Sequence, residues 1–101
     1  MYVSPFEVEG ALQSHPDVLE VAVVGWPDDE KLIKPKAFVV LKSPDKGGGD
    51  LARALQDHCR KALAPYKYPR WIEFRAELPK TATGKIQRFK LRAEAEGEPS
   101  S

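Results

Sequence analysis

The run Val18 to Gly25, VLEVAVVG, is apolar at odd and even positions alike, apart from Glu20. Successive residues of a strand point to opposite faces, so such a strand must be covered on both sides. It is predicted as a central strand. Lys36 to Leu41 (KAFVVL) is predicted as a second strand. With 101 residues the chain can build one modest core. Its 42% apolar and 31% charged content separates it from disordered sequences. A small sheet wrapped by helices is the packing these runs call for.

The remaining elements follow from local signals. Ser4 with Pro5 and Glu7 reads as a capping box that starts a helix, with Val3 and Val8 as its staple. That helix should end near Ser14, because His15 precedes Pro16. Trp26-Pro27-Asp28-Asp29 is a turn signal, and Ser43 to Asp50 (SPDKGGGD) a loop. Asp50 is expected to cap a helix whose apolar stripe is Leu51, Leu55, Cys59 and Leu63, ending at Pro65. Trp71 to Arg75 alternates, with Ile72 and Phe74 on the apolar face of a half-buried strand. Leu78 to Lys85 reads as a polar loop, and Ile86 to about Ala95 as a final helix with Phe89 on its apolar side. The fold class is α+β: a three-stranded sheet flanked by helices in the order α-β-β-α-β-α. One domain covers residues 1–96, and 97–101 is expected to be a disordered tail.

Several function classes are disfavoured. The net charge is +1, which gives no whole-chain attraction to nucleic acid. No apolar run approaches the roughly 18 residues of a membrane span, and no secretory signal is visible. The single cysteine, Cys59, cannot form an internal disulfide, which agrees with a cytoplasmic setting. His58 and Cys59 are adjacent on one helix and face different ways, so no metal site is expected. Trp26 and Trp71 read as packing anchors.

The segment Pro79 to Arg88, PKTATGKIQR, is where chemistry is concentrated. Between Pro79 and Arg92 stand Lys80, Lys85, Arg88, Lys90 and Arg92, with no acidic residue. Thr81, Thr83 and Gly84 form a flexible, hydroxyl-rich loop able to approach a ligand, and Lys85 ends it. An ammonium there can act as a mobile point charge for phosphate or carboxylate oxygens. It is not a Walker loop. Composition alone equally allows a solvated basic loop, or a basic helix carrying Arg88, Lys90 and Arg92 that binds nucleic acid or an acidic partner.

Several segments, in order, resemble the C-terminal domain of the adenylate-forming superfamily, which includes acyl-CoA and aryl-CoA synthetases, luciferases and peptide-synthetase adenylation domains. These are VSPFEVE from Val3, VLEVAVVGWPD from Val18, KPKAFVVL from Lys34, PYKYP from Pro65 and PKTATGKIQR from Pro79. The combination is most similar to benzoate-CoA ligases. The resemblance implies a mobile lid that works with the N-terminal domain of the same enzyme. The substrates would be ATP, coenzyme A and a carboxylic acid, with Mg2+ expected in the whole enzyme but not bound by this domain. It implies that Lys85 completes the adenylation site, with Thr83 and Gly84 in the nucleotide loop. It also places Tyr66 and Lys67 near the coenzyme A nucleotide, although Tyr66 and Tyr68 could equally just pack their loop. Tyr68 stands where some relatives carry an arginine. Glu30 to Ile33 depart from the family's Trp-Gly or Tyr-Gly, and no site is carried over there. Pro79 to Lys85 also matches a pattern that marks lysine acetylation by a protein acetyltransferase in bacterial relatives. The family's hinge would lie upstream of Met1, so the chain is expected to be a piece of a longer protein, inactive alone. The other readings within the superfamily are the lid of a fatty-acyl ligase, a luciferase-like enzyme or a peptide-synthetase adenylation domain.

Overall fold

The computed structural model of the chain describes residues 4–65 and 67–96. Val3, Tyr66 and the tail 97–101, all singled out in the sequence, lie outside the described residues. Six main elements follow one another: α1 (Pro5–Gln13), β1 (Val18–Pro27), β2 (Ile33–Leu41), α2 (Gly49–Ala62), β3 (Trp71–Phe74) and α3 (Arg88–Ala93). Single 3-10 turns occupy Pro44–Lys46 and Glu94–Glu96. The sheet order is β1-β2-β3, with β1 antiparallel and β3 parallel to β2. Helix α2 makes the crossover that a parallel pair requires. No helix among the described residues is long and apolar enough to cross a membrane.

The sheet has a core on each face. On one side Val8, Ala11 and Leu12 of α1 pack with Val21 and Val23 of β1, Ala37, Val39 and Leu41 of β2, and Leu55 and Cys59 of α2. On the other, Ala22, Val24, Phe38 and Val40 meet Leu78 and Leu91, with Trp26 and Ile86 at the margin. A register shift between Val18 and Glu20 inserts Leu19 as an extra residue. The bulge re-phases the strand, so Val18 joins Val21 and Val23 on the α1 side while Leu19 stays exposed.

Four expectations need correction. Strand β1 is not central; it is an edge strand, and β2 is the middle one. Burial on both faces reflects helices above and below, not a strand neighbour on each side. Ser4 sits at the N-cap of α1, but its side chain makes no capping bond, and Glu7 reaches to Lys67 instead. Gly48 is the N-cap of α2, while Asp50 lies in the first turn and pairs with Arg53. There its charge still complements the helix dipole. Finally, α3 starts at Arg88 rather than Ile86, and Phe89 is 58% exposed while Leu91 is fully buried. Two residues apart on a helix is about 200° of rotation, so Phe89 and Leu91 cannot face the same core.

Cys59 lies fully inside, and burial pushes its thiol up to about 11. The folded state therefore favours the neutral thiol. Below the ordinary thiol value of 9.0 the group does not alter stability. As pH rises from there towards about 11, the unfolded chain ionises first and stability falls. We expect a thiol-alkylating reagent at pH 8 to modify Cys59 at least about 100-fold more slowly in the folded protein than in urea, because reaction must await opening. Equal rates in the two states would contradict the burial described here.

Candidate functional site

The loop before α3 is a tight hairpin. Lys80 and Ile86 form an antiparallel bridge, and the Gln87 N–H donates to the Pro79 carbonyl at 2.8 Å. Inside it, the Thr81 N–H donates to the Lys85 carbonyl at 2.8 Å and the Gly84 N–H to the Thr81 carbonyl at 2.9 Å. Gly84 closes the turn with φ 88°. A β-carbon there would meet nothing within 4 Å, so the left-handed backbone alone calls for glycine. The Thr81 hydroxyl accepts from the Lys85 N–H at 3.1 Å and lies 3.0 Å from the Thr83 hydroxyl. The sequence suggested a flexible loop, whereas the two threonines and the turn bonds tie it down. Thr81 orients the Lys85 backbone, a role the sequence reading did not separate from that of Thr83.

Lys85 is exposed at the end of this hairpin. Among the described residues its ammonium has no carboxylate partner. Its basic neighbours differ. Lys80 pairs with Glu20 of β1, and Arg88 pairs with Glu9 of α1 through its Nε at 2.8 Å and a second guanidinium nitrogen. The same Glu9 carboxylate accepts the Val23 N–H of β1 at 2.8 Å. The Glu9 hydrogen bonds push the Arg88 guanidinium further above its ordinary range, against the opposing effect of burial. Arg88 is thereby withdrawn from the basic stripe it was expected to share with Lys90 and Arg92. Glu9 and Glu20 were missed in the sequence, because nothing local marks a carboxylate whose partner lies far along the chain.

The second candidate region follows α2. The Lys67 N–H donates to the Ala64 carbonyl at 2.9 Å, and its ammonium lies 3.1 Å from the Glu7 carboxylate. Tyr68 packs against the core and lies under the Arg60 guanidinium, 3.9 Å from the ring centre. This is the packing role the sequence left open for it. Glu7 and Glu9 flank the fully buried Val8, each about 100° from it, on opposite sides of α1. Lys67 and the Lys85 hairpin are thus held on different sides of one helix.

No group of three or more His, Cys, Asp or Glu side chains among the described residues could hold a metal ion. His58 contacts the Ser14 hydroxyl at 2.9 Å and the His15 ring edge-on, while Cys59 is buried. An open cleft of about 340 Å³ at the β1–β2 turn is lined mainly by Asp28, Glu30, Lys34, Arg70 and Trp71, and by none of the candidate residues. Burial would raise the Asp28 carboxyl. The Leu32 and Glu30 N–H groups, with Lys34 and Arg70 nearby, outweigh it and hold the carboxyl below its usual range.

Known proteins share this fold. The chain is 66% identical over 94 residues to a benzoate–CoA ligase of Thauera aromatica, covering 92% of this chain and 18% of that protein. A 4-hydroxybenzoate–CoA/benzoate–CoA ligase of Rhodopseudomonas palustris is 53% identical over 93 residues, covering 91% of this chain and 17% of that one. The crystal structure of an anthranilate CoA ligase with anthranoyl-AMP superposes with a TM-score of 0.86 at 59% identity, over 94% of this chain and 18% of that one. The chain thus spans less than one-fifth of the length of these relatives. The model of the AMP-binding enzyme C-terminal domain matches residues 7–85, ending on the lysine of the hairpin, and the chain belongs to that family.

Proposed function

We propose that residues 1–96 form the C-terminal lid of an ATP-dependent ligase that joins benzoate or a related aromatic acid to coenzyme A. The observation that carries this reading is the exposed ammonium of Lys85, without a carboxylate partner among the described residues, on a hydrogen-bonded hairpin in a chain 66% identical to a benzoate–CoA ligase. In the first step a carboxylate oxygen attacks the α-phosphorus of ATP, the bond to pyrophosphate breaks, and an acyl-adenylate forms. Lys85 acts electrostatically, bridging carboxylate and phosphate oxygens as negative charge shifts between them. Being tied by the Thr81 hydroxyl, its backbone needs little ordering to do so. Thr83 and Gly84 let the loop come close to the nucleotide.

In the second step the coenzyme A thiol displaces AMP from the acyl carbon. Tyr66 and Lys67 then serve the coenzyme A nucleotide. Lys67 would exchange its Glu7 carboxylate for a phosphate, a modest change because the Glu7 side chain is 45% exposed. The Mg2+ expected with ATP belongs, on this reading, to the larger part of the enzyme. The acid pocket lies in that part as well, so the isolated domain is inactive. The same exposure makes Lys85 available to a protein acetyltransferase, which would remove its charge and stop adenylation.

Two measurements check this. In the whole enzyme, Lys85→Ala should lower adenylation, read as ATP–pyrophosphate exchange, by at least about 10²–10³-fold, the loss typical of one preorganised donor. Thioester formation from supplied acyl-adenylate should be largely spared, and equal loss of both half-reactions contradicts the assignment. Incubation with a protein acetyltransferase and acetyl donor should add one acetyl group at Lys85, with adenylation falling in proportion. Mass spectrometry finding no acetyl-Lys85 would remove the regulatory reading.

A further inference from the structure

Besides the apolar packing of Leu78 and Ile86, two charged contacts fix the Lys85 hairpin to the body of the domain. One is the Lys80–Glu20 pair, whose side chains are 36% and 28% exposed. An ion pair so open to water constrains little. The other is the forked contact between Arg88 and Glu9, whose side chains are 31% and 13% exposed. Forked guanidinium–carboxylate pairs fix orientation as well as distance. Arg88 is the first residue of α3 and stands three positions after Lys85. Between them, Ile86 packs on the second core and Gln87 is bonded to Pro79. Rotation of Arg88 would therefore be passed to the hairpin with little slack. Glu9 in turn is anchored by the Val23 N–H on the outer edge of β1. Hydrogen bonds link the sheet to Glu9 and Glu9 to Arg88, and the backbone carries the path on to the base of the hairpin at Gln87.

We infer that Glu9 is a positioning residue for adenylation: through Arg88 it sets the angle at which the hairpin delivers the Lys85 ammonium. This deepens the proposed function and rests on Lys85 acting in adenylation. It distinguishes Glu9 from an ordinary stabilising carboxylate, because its effect should pass through Lys85 alone. A glutamine at position 9 keeps the shape and can still accept the Val23 N–H through its amide oxygen. It loses the charge that holds Arg88. The substitution therefore separates aiming of the hairpin from capping of the sheet edge.

The test uses the whole enzyme that contains this domain, with four proteins: wild type, Glu9→Gln, Lys85→Ala and the double variant. Glu9→Gln should lower ATP–pyrophosphate exchange roughly 10- to 100-fold, the scale of a misplaced catalytic group, with thioester formation from supplied acyl-adenylate within about twofold of wild type. Added to Lys85→Ala, it should cost adenylation nothing further, since a residue acting through another has no effect once that other is gone. Arg88→Lys, which keeps the charge without the fork, should fall between wild type and Glu9→Gln in exchange rate, and it serves in place of Glu9→Gln if that variant does not fold. The inference is overturned if Glu9→Gln slows both half-reactions equally, slows neither, or costs the same factor with and without Lys85. If Lys85→Ala itself leaves adenylation intact, the proposed function fails first, whatever Glu9 does.

Discussion

Covering both faces of the β1–β2 ribbon is the constraint on which the rest of the molecule depends. Val21 and Val23 point one way and Ala22 and Val24 the other, and all four are buried. Each fully buried Val, Leu or Phe side chain contributes about 1.5–3 kcal/mol relative to exposure. The amphipathic α2 and the short α1 satisfy one face. The other falls to Leu78, Ile86 and Leu91, drawn from the chain after β3. A six-residue helix such as α3 has no stability of its own. It forms because Leu91 completes the second core and Arg88 is gripped by Glu9. The hairpin with Lys85 therefore lies where it does because the second face needs a cover.

The edge position of β1 adds a second demand. Its outer backbone groups have no strand beside them among the described residues, and an unmet buried N–H costs about 1–3 kcal/mol. Glu9 answers this at Val23 and, with its remaining capacity, holds Arg88. A carboxylate can do both because it offers about four lone-pair sites. The result is costly to disturb at the Glu9 end: without its guanidinium partner this carboxylate, 13% exposed, keeps only part of its compensation. Sheet-edge protection and hairpin orientation thus come from one side chain.

The element order and the two apolar runs could be read from the sequence because they rest on periodicity and on short-range signals such as Pro16 and Pro65. The α+β class followed directly. What escaped the reading has a common physical origin. Burial on both faces of β1 cannot tell a middle strand from an edge strand with helices above and below. The hairpin looked flexible because glycine and threonine permit freedom, while the bonds that remove it depend on Thr81 and Lys85 facing each other across the turn. The start of α3 was misplaced because Ile86 belongs to a bridge with Lys80. Pairings such as Glu9 with Arg88, 79 residues apart, leave no local trace. The role proposed for Lys85 came from family resemblance; the residues alone offered only a basic loop.

Helix α1 also separates the two regions that the proposed ligase would use in turn. Glu7 on one flank holds Lys67, and Glu9 on the other holds the base of the Lys85 hairpin. The flanks are about 200° apart around the helix, and Val8, Ala11 and Leu12 fix the helix to the sheet between them. Side-chain rotation cannot bring regions so placed to one point, because each is anchored on its own side of a packed element. For the proposed ligase, the family resemblance implies that the two steps require the domain to turn as a body, presenting first one region and then the other. A rigid core on both faces of the sheet suits that requirement, since it carries both regions through such a turn without altering either.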